Sequence, residues 1–238
     1  MNHKTSKIIP FPVWIRVFGM GEDSKEIIDQ IKAENYPDVN AIYLTKEILA
    51  PDEDDEMVIF INPSNEEIKT MVKSFYQAGV LTLIISTDKF SFERECYDSS
   101  TIIRKNKIVP AIKSLFDPLF RTNSISFGFN DILFTLKDSG RFIITSCESF
   151  SLNNRMRDML HNLNNEIQSY QEIENLAFVI SYDPSSVLHL RGRDLDSLQE
   201  YLDNLPVEIN VSWGLQRDKA YKDKIKVTII ASGHNLQL

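Results

Sequence analysis

The first residues whose types and spacing could do chemistry are VFGMGEDSKEI at 17–27. A strand-like alternation ends at Phe18, Gly19 and Gly21 follow, and isoleucines then recur at helical spacing. A glycine-containing turn at a helix N-terminus can hold a phosphate, because its unpaired N–H groups and the helix dipole favour an anion. Gly19 and Gly21 are therefore candidate nucleotide-binding residues.

Acidic residues in the same turn favour a different interpretation. Asp23 is predicted to cap the helix, with Glu26 as its capping-box partner and Glu22 beside it. These carboxylates take the place that a phosphate would occupy and would repel a triphosphate. Lys25 offsets only part of this charge. The turn is therefore predicted to be a helix start in which acids replace a bound phosphate.

Residues that could bind a metal or act as nucleophiles are present but poorly spaced. The run DEDDE at 52–56 lacks the spaced ligands and turn glycine of a calcium loop, so it is interpreted as a solvated acidic loop. Cys96 and Cys147 lie far apart and are expected to be reduced structural thiols. The histidines have no metal-ligand spacing, and no nucleophile elbow or GKS/T loop occurs. No metal site is expected.

The composition narrows the class of protein. The 238 residues include 34 acids against 26 lysines and arginines, which argues against a nucleic-acid partner because nonspecific affinity comes from basic residues. Eight glycines are about half the usual share of roughly 7%, so few glycine-rich phosphate loops can exist. No apolar run approaches the roughly 18–20 residues that cross a bilayer. A cytoplasmic protein without membrane insertion is expected.

Strand and helix patterns alternate in the first half of the chain. The continuous apolar run MVIFI suggests a strand buried on both faces of a parallel sheet. Ser64 and Glu67 form a capping-box pattern for a helix that Gly79 is expected to end. The other predicted elements are strands at 13–18, 40–45, 57–61 and 80–87 and a helix at 24–34. This order predicts a doubly wound α/β domain.

The second half of the chain has a different pattern. A helical apolar stripe at 105–122 is interpreted as a connecting helix that Pro110 and Pro118 can kink. The remaining predicted elements are helices at 130–139, 152–167 and 194–205 and strands at 141–146, 176–182, 208–214 and 224–232. They predict a second layer of helices on a mixed sheet.

Several of these segments, in this order, resemble the FtsZ/tubulin superfamily of GTP-dependent filament proteins. WGLQRDKAYKDKIKVTIIASG at 213–233 resembles that family's terminal hairpin, and FNDILFTLKDSGRFIITS at 129–146 resembles the helix and strand that follow its catalytic loop. AGVLTLIISTDKFSFE at 78–93 resembles the strand and turn before its central helix. The strand, turn and helix at 13–34 fit its first unit.

The resemblance implies a fold and a domain organisation. It implies an FtsZ/tubulin-like α/β fold, in which a mostly parallel, doubly wound N-terminal domain is joined by a central helix to a smaller α/β domain with a mixed sheet. In this chain the divisions fall at 1–104, 105–122 and 123–238. In the family, a loop of the smaller domain completes the nucleotide site of the next subunit in a filament.

The phosphate loops depart from the family's pattern. The glycine- and threonine-rich signature loop is expected after MVIFI, where this chain has NPSNEEI at 62–68, with no glycine and two acids. Pro63 also removes a backbone N–H donor. The segment expected to supply further phosphate contacts is shortened to KEILAPDEDD at 46–55. Weak or absent GTP binding is therefore expected.

The catalytic loop also departs from the family's pattern. When SFGFND is aligned on the family's loop, Ser126 replaces its asparagine, Gly128 its first aspartate, and Asp131 alone keeps a catalytic carboxylate. Efficient hydrolysis is therefore not expected. Asn106 matches a position that reads guanine in the family, although an asparagine near a helix start is equally a candidate cap.

Three functions remain open from the sequence. The first is a degenerate, shortened FtsZ-like protein without a cofactor that binds itself or a related FtsZ/tubulin-like filament protein, as in cell division or a cytoskeleton. The second is a divergent GTPase that uses GTP and Mg²⁺ and assembles into filaments. The third is an unrelated small-molecule enzyme that uses the switch-point crevice of the sheet.

Overall fold

The computed structural model describes residues 14–45, 47–120, 123–125, 127–167, 172–187 and 189–236. The strands are β1 (Trp14–Gly19), β2 (Val39–Tyr43), β3 (Asp55–Ile61), β4 (Leu81–Ser86), β5 (Ser99–Ile102), β6 (Asn123–Ile125), β7 (Gly140–Ser149), β8 (Asn175–Tyr182), β9 (Asn210–Arg217) and β10 (Ile225–Gly233). The helices are α1 (Glu22–Ala33), α2 (Glu66–Gln77), α3 (Lys105–Phe120), α4 (Phe129–Leu136), α5 (Arg155–Glu166) and α6 (Gly192–Asp203).

These strands form one sheet in the order β2-β1-β3-β4-β5-β7-β10-β8-β9-β6. The five strands of the first half are parallel, and β7 joins β5 in parallel. Beyond β7 the sheet is mixed, because β10 runs antiparallel to both of its neighbours while β8 and β9 are parallel. The predicted fold class, with a mostly parallel first half and a mixed second half, is confirmed.

Side-chain alternation along β3 explains why helices cover both faces of the first half. The five residues of MVIFI are all fully buried. Met57, Ile59 and Ile61 belong to a core that includes the buried faces of α1 and α3. Val58 and Phe60 point to the opposite core, which α2 covers. A strand buried on both faces thus reads as a continuous apolar run, as the sequence predicts.

The strand β10 occupies a different place from the one predicted for a terminal hairpin. It lies between β7 and β8, whereas β9 lies between β8 and β6, so β9 and β10 do not pair with each other. The prediction of a hairpin at 213–233 is therefore wrong. The physical reason is burial: Ile225, Val227, Ile229, Ile230 and Ala231 of β10 are fully buried, and such a strand is most stable in the centre of the sheet.

The connection between the two halves was only partly predictable. The helix α3 runs unbroken through Pro110 and Pro118. The strand β5 was missed, because its SSTI sequence is polar although its serines and threonine are buried. Beside it, the fully buried Asp98 carboxylate accepts the backbone N–H groups of Thr82 (2.7 Å) and Asp138 (3.1 Å). Burial raises the pKa of Asp98 above its usual value, although these hydrogen bonds oppose the shift.

Candidate functional site

The carboxyl ends of β1, β3 and β4 open onto a crevice, which we define by its lining residues 20–23, 62–64 and 86–92. The cavity has a volume of about 620 Å³. A smaller cavity of about 310 Å³ adjoins it and shares Met20, Gly21 and Ser64 with it. Because β1 leads to β2 on one side and β3 leads to β4 on the other, this crevice is the topological switch point, where α/β sheets bind ligands.

The start of α1 differs by two residues from its predicted start. Gly21, with φ 75°, is the N-cap, and the helix begins at Glu22. The predicted capping box of Asp23 and Glu26 is therefore wrong, because both residues lie inside the helix and no side chain caps it. The physical reason is the backbone, since the chain enters the helix with a positive φ that glycine adopts without strain. Glu22 and Asp23 nevertheless lie in the first turn, as the electrostatic interpretation requires.

Gly19 has a packing role that the sequence did not reveal. A Cβ atom built on Gly19 would lie 2.5 Å from Cγ1 of Ile28, and the Ile28 side chain is fully buried. The missing side chain lets α1 approach β1 closely. Of the two candidate nucleotide-binding glycines, Gly21 lines the crevice, whereas Gly19 does not.

A side chain of the protein caps the N-terminus of α2. Asn65 is the N-cap, and its Oδ1 accepts the N–H of Ile68 at 2.8 Å. The predicted capping box of Ser64 and Glu67 is wrong, because Ser64 precedes the cap. The first turn carries Glu66 and Glu67. One N–H donor that could contact a phosphate is thus already paired, and two carboxylates lie beside the others.

Asn62 connects the loops of the crevice and was not singled out from the sequence. It has a φ of 52°, and its Nδ2 donates to Ser24 Oγ of α1 at 3.2 Å. Its Oδ1 accepts the N–H of Thr87, which follows β4, at 2.9 Å. The signal was available, because an asparagine directly after a buried strand tolerates the left-handed conformation. This side chain fixes the three loops relative to one another.

The charge of the crevice is predominantly negative. Among the described residues that line it and the adjoining cavity, one is basic, Lys89. The acidic lining residues are Glu22, Asp23, Glu47, Glu67 and Asp88. Lys105 at the start of α3 binds Asp23 at 2.8 Å and Glu26 at 3.7 Å. Lys105 is thus already paired with carboxylates of α1.

The other predicted site residues lie apart from the crevice lining. Asn106 is exposed in the first turn of α3, next to Lys105. Asp131 lies in the first turn of α4, where its Oδ2 accepts the N–H of the N-cap Gly128 at 2.8 Å. This carboxylate stabilises a helix start in the chain itself. Ser126 lies outside the described residues.

The described residues contain neither a metal-binding cluster nor a membrane-spanning helix. Within the described ranges, no group of three or more histidine, cysteine or acidic residues is arranged to hold a metal ion. None of the helices described is both long enough and apolar enough to cross a bilayer. Between β2 and β3 the described residues, which exclude Lys46, contain no helix, as the shortened segment at 46–55 predicts.

Comparison with known proteins identifies the fold. No protein-family model and no curated protein matches the sequence. The structure matches an empty FtsZ dimer of M. jannaschii with a TM-score of 0.70 at 13% identity, over 94% of this chain and 89% of that chain. A point mutant of that FtsZ matches with a TM-score of 0.72 at 12% identity, over 93% and 91% of the two chains.

A second group of filament proteins matches over a similar length. TubZ of Bacillus thuringiensis serovar israelensis, solved as GDP-form protofilaments, matches with a TM-score of 0.64 at 7% identity, over 93% of this chain and 87% of that chain. Identities this low establish architecture rather than activity. With these TM-scores over most of each chain, the chain has the FtsZ/tubulin-like fold.

Proposed function

We propose that this protein is a degenerate, shortened FtsZ-like protein that acts by binding to itself or to a related FtsZ/tubulin-like filament protein, with GTP binding and hydrolysis lost or weak. One observation carries the proposal. In the crevice where a nucleotide would bind and in the cavity that adjoins it, the described lining residues together bear five carboxylates and a single ammonium group.

The electrostatics of the crevice argue against a triphosphate. The helices α1 and α2 both begin there, and a helix N-terminus attracts anions. Each of these termini, however, carries two acids in its first turn, and these carboxylates satisfy the dipole. A triphosphate entering the crevice would meet negative charges at both helix starts. It could not bind the N–H of Ile68, because that N–H already donates to Asn65.

Hydrolysis lacks most of the groups that it needs. Water activation in the family's loop uses two carboxylates, and here Gly128 stands at the first position. The second, Asp131, holds the N–H of Gly128. The oxygen of Asp131 that would contact water is therefore already paired with the backbone of its own helix start.

The proposed association has its support in the structural neighbours. FtsZ of M. jannaschii was solved as a dimer and TubZ as protofilaments, and this chain has the same architecture over most of its length. Contacts between copies of such a fold do not require a bound nucleotide, as the empty FtsZ dimer illustrates. We therefore place the function in protein–protein contacts, with a role in cell division or a cytoskeleton as the working hypothesis.

Titration with a fluorescent GTP analogue, with and without Mg²⁺, tests the nucleotide part of the proposal. We expect no saturation at micromolar concentrations and no phosphate release. The double variant Glu22→Gln/Asp23→Asn removes two of the crevice charges, and Glu53→Gln/Asp54→Asn is its control because those exposed acids lie outside the crevice. The proposal is contradicted if the wild type binds the analogue at micromolar concentrations and releases phosphate, and if the Glu22→Gln/Asp23→Asn variant changes that affinity.

Light scattering and pelleting over a range of protein concentrations test the association part. We expect assembly that depends on protein concentration and is unchanged by GTP. If the protein is strictly monomeric, we propose a related filament protein as its partner. Co-pelleting after the two proteins are mixed would test this. Assembly that requires GTP and Mg²⁺ instead supports the alternative, a divergent GTPase, which the size of the crevice and the open backbone at Gly21 favour.

A further inference from the structure

A second cavity, distinct in charge from the crevice, lies beside it. We define it as the basic pocket, with a volume of about 640 Å³. Lys89, Phe90 and Phe92 line both this cavity and the crevice, and residues of β5, of β7 and of the segment after β10 complete it. Its lining residues are Lys89, Phe90, Phe92, Arg94, Tyr97, Ser100, Ile102, Gly140, Arg141, His234 and Asn235.

The charge of this pocket is the reverse of the charge of the whole protein. Lys89, Arg94, Arg141 and His234 line it, and no carboxylate is among its lining residues within the described chain. The chain as a whole has eight more acids than lysines and arginines. Of the ion pairs between described residues, none involves Lys89, Arg94 or Arg141. Three cations thus remain available to an external anion.

Gly140 leaves space for the guanidinium of Arg94, because it has no side chain. Gly140, the first residue of β7, has a φ of 76°, and a Cβ atom built on it would overlap the guanidinium of Arg94. The Arg94 side chain therefore lies directly against a backbone that carries no side chain. On the other side, Nη1 of Arg141 donates to the carbonyl of Leu236 at 3.3 Å, which orients that guanidinium.

Histidine 234 is also held in place. The Glu174 carboxylate accepts the backbone N–H of His234 at 3.1 Å and lies 2.9 Å from its ring Nδ1. The apolar wall of the pocket is aromatic. Phe90 packs at ring-centroid distances of 5.7 Å from Phe92 and 5.9 Å from Tyr97.

We propose that the basic pocket binds a small organic phosphate of mononucleotide size, with its phosphate on Arg94, Arg141 and His234 and its planar ring against Phe90 and Phe92. Arginine is suited to this contact because its planar fork binds phosphate oxygens in pairs. Aromatic faces add affinity for a base whatever its identity. The site shares Lys89, Phe90 and Phe92 with the crevice. Its phosphate contacts Arg94, Arg141 and His234 do not line the crevice, so the proposal does not depend on the function proposed above.

Isothermal titration calorimetry with AMP, GMP, ribose 5-phosphate and inorganic pyrophosphate tests this proposal. We expect saturable binding of AMP and GMP, weaker binding of ribose 5-phosphate, and a loss of affinity as salt is raised. Arg94→Ala/Arg141→Ala should weaken binding about tenfold for each arginine removed. The control Arg157→Ala/Arg217→Ala removes two exposed arginines outside the pocket and should bind like the wild type.

Two further variants separate the parts of the site and guard against misfolding. Phe92→Ala should weaken AMP about tenfold and leave pyrophosphate unchanged, because only the nucleotide has a ring to stack. Arg94→Lys/Arg141→Lys keeps both charges and should retain part of the affinity even if the alanine variant does not fold. No saturable binding of any of the four probes, or an equal loss in the Arg157→Ala/Arg217→Ala control, overturns the proposal.

Discussion

The crevice and the basic pocket are similar in volume and share one loop, but they differ in charge. The crevice, at about 620 Å³, lies at the switch point of the sheet and is lined by Glu22 and Asp23 at the start of α1 and by Asp88. The basic pocket, at about 640 Å³, lies outside that position and has four basic residues. A fold therefore fixes where a cavity forms, whereas the side chains at its rim decide which ions it admits.

The opposite charges of the two cavities affect how a nucleotide titration is interpreted. If both proposals hold, GTP can bind weakly through its phosphates to the basic pocket while the crevice stays empty. Binding alone would then be read as evidence for a GTPase. The same titration on Arg94→Ala/Arg141→Ala assigns any such signal to one cavity, since that variant leaves the acidic residues of the crevice unchanged.

The largest effect is expected at the glycine beneath the crevice. Gly19→Ala places a Cβ atom 2.5 Å from the buried Ile28, so α1 must move away from β1. We expect the free energy of unfolding to fall by about 2–3 kcal/mol, the usual cost of overpacking a core, in urea denaturation. Gly128→Ala is the matched control, because nothing lies within 4 Å of a Cβ atom there. Equal stability of the two variants would show that the contact relaxes freely.

The second effect concerns the glycine of the basic pocket. Gly140→Ala meets both a positive φ and the Arg94 guanidinium. The left-handed backbone should cost about 1–2 kcal/mol, and displacement of Arg94 should weaken AMP binding in the same calorimetric assay. Gly79→Ala is the control: its φ is 84° and nothing lies within 4 Å of its Cβ position. A loss of AMP affinity in both variants would point to a general effect of instability.

Eight of the ten described strands and much of the crevice were predictable from local sequence, whereas β5 and β6 were not. MVIFI identified the doubly buried β3, and the glycines with their acidic neighbours located a helix start that now lines the crevice. The exact cap was not predictable. Residues 21 and 23 both fit an N-cap by type, and only the positive φ at Gly21 decides between them. The hairpin prediction is wrong because strands that follow each other in sequence need not pair. The strand β10 is apolar on both faces and lies between β7 and β8 instead of beside β9.

The basic pocket was not predictable at all from local patterns. Its basic residues lie at 89, 94, 141 and 234, on segments that the sheet brings together through pairing of β5 with β7 and of β7 with β10. No spacing rule connects such distant positions. Asn62 is an intermediate case, because its place after a strand was visible whereas its partners Ser24 and Thr87 were not.

A smaller effect is expected from the acids of the crevice. Glu22→Gln/Asp23→Asn should lower the free energy of unfolding by about 1 kcal/mol, since each carboxylate at a helix start contributes about 0.3–1 kcal/mol. The same variant should bind the fluorescent GTP analogue more tightly than the wild type. Glu53→Gln/Asp54→Asn should change neither property. An unchanged GTP affinity in the crevice variant would mean that charge is not what keeps the crevice empty.

The smallest effect is expected from Glu174, whose carboxylate contacts His234 of the basic pocket. Burial opposes its ionisation, but the hydrogen bonds from His234 and the nearby charge of Arg94 lower the pKa of Glu174 below 4.5. A lowered pKa in the folded state means that the ionised carboxylate stabilises the protein above the unfolded pKa and loses this effect as the pH falls through the folded pKa. Solvent exposure keeps the contribution below about 1 kcal/mol.

Glu174→Gln should therefore be slightly less stable than the wild type at pH 7, and the two stabilities should converge as the pH falls through the lowered pKa of Glu174, because the wild-type carboxyl is then protonated. Chemical denaturation at a series of pH values measures the difference. Because the Glu174 carboxylate holds both the backbone and the ring of His234, the variant should also bind AMP more weakly at pH 7. A stability difference that is constant with pH, with AMP affinity unchanged, would show that Glu174 has no role in holding His234 at the pocket.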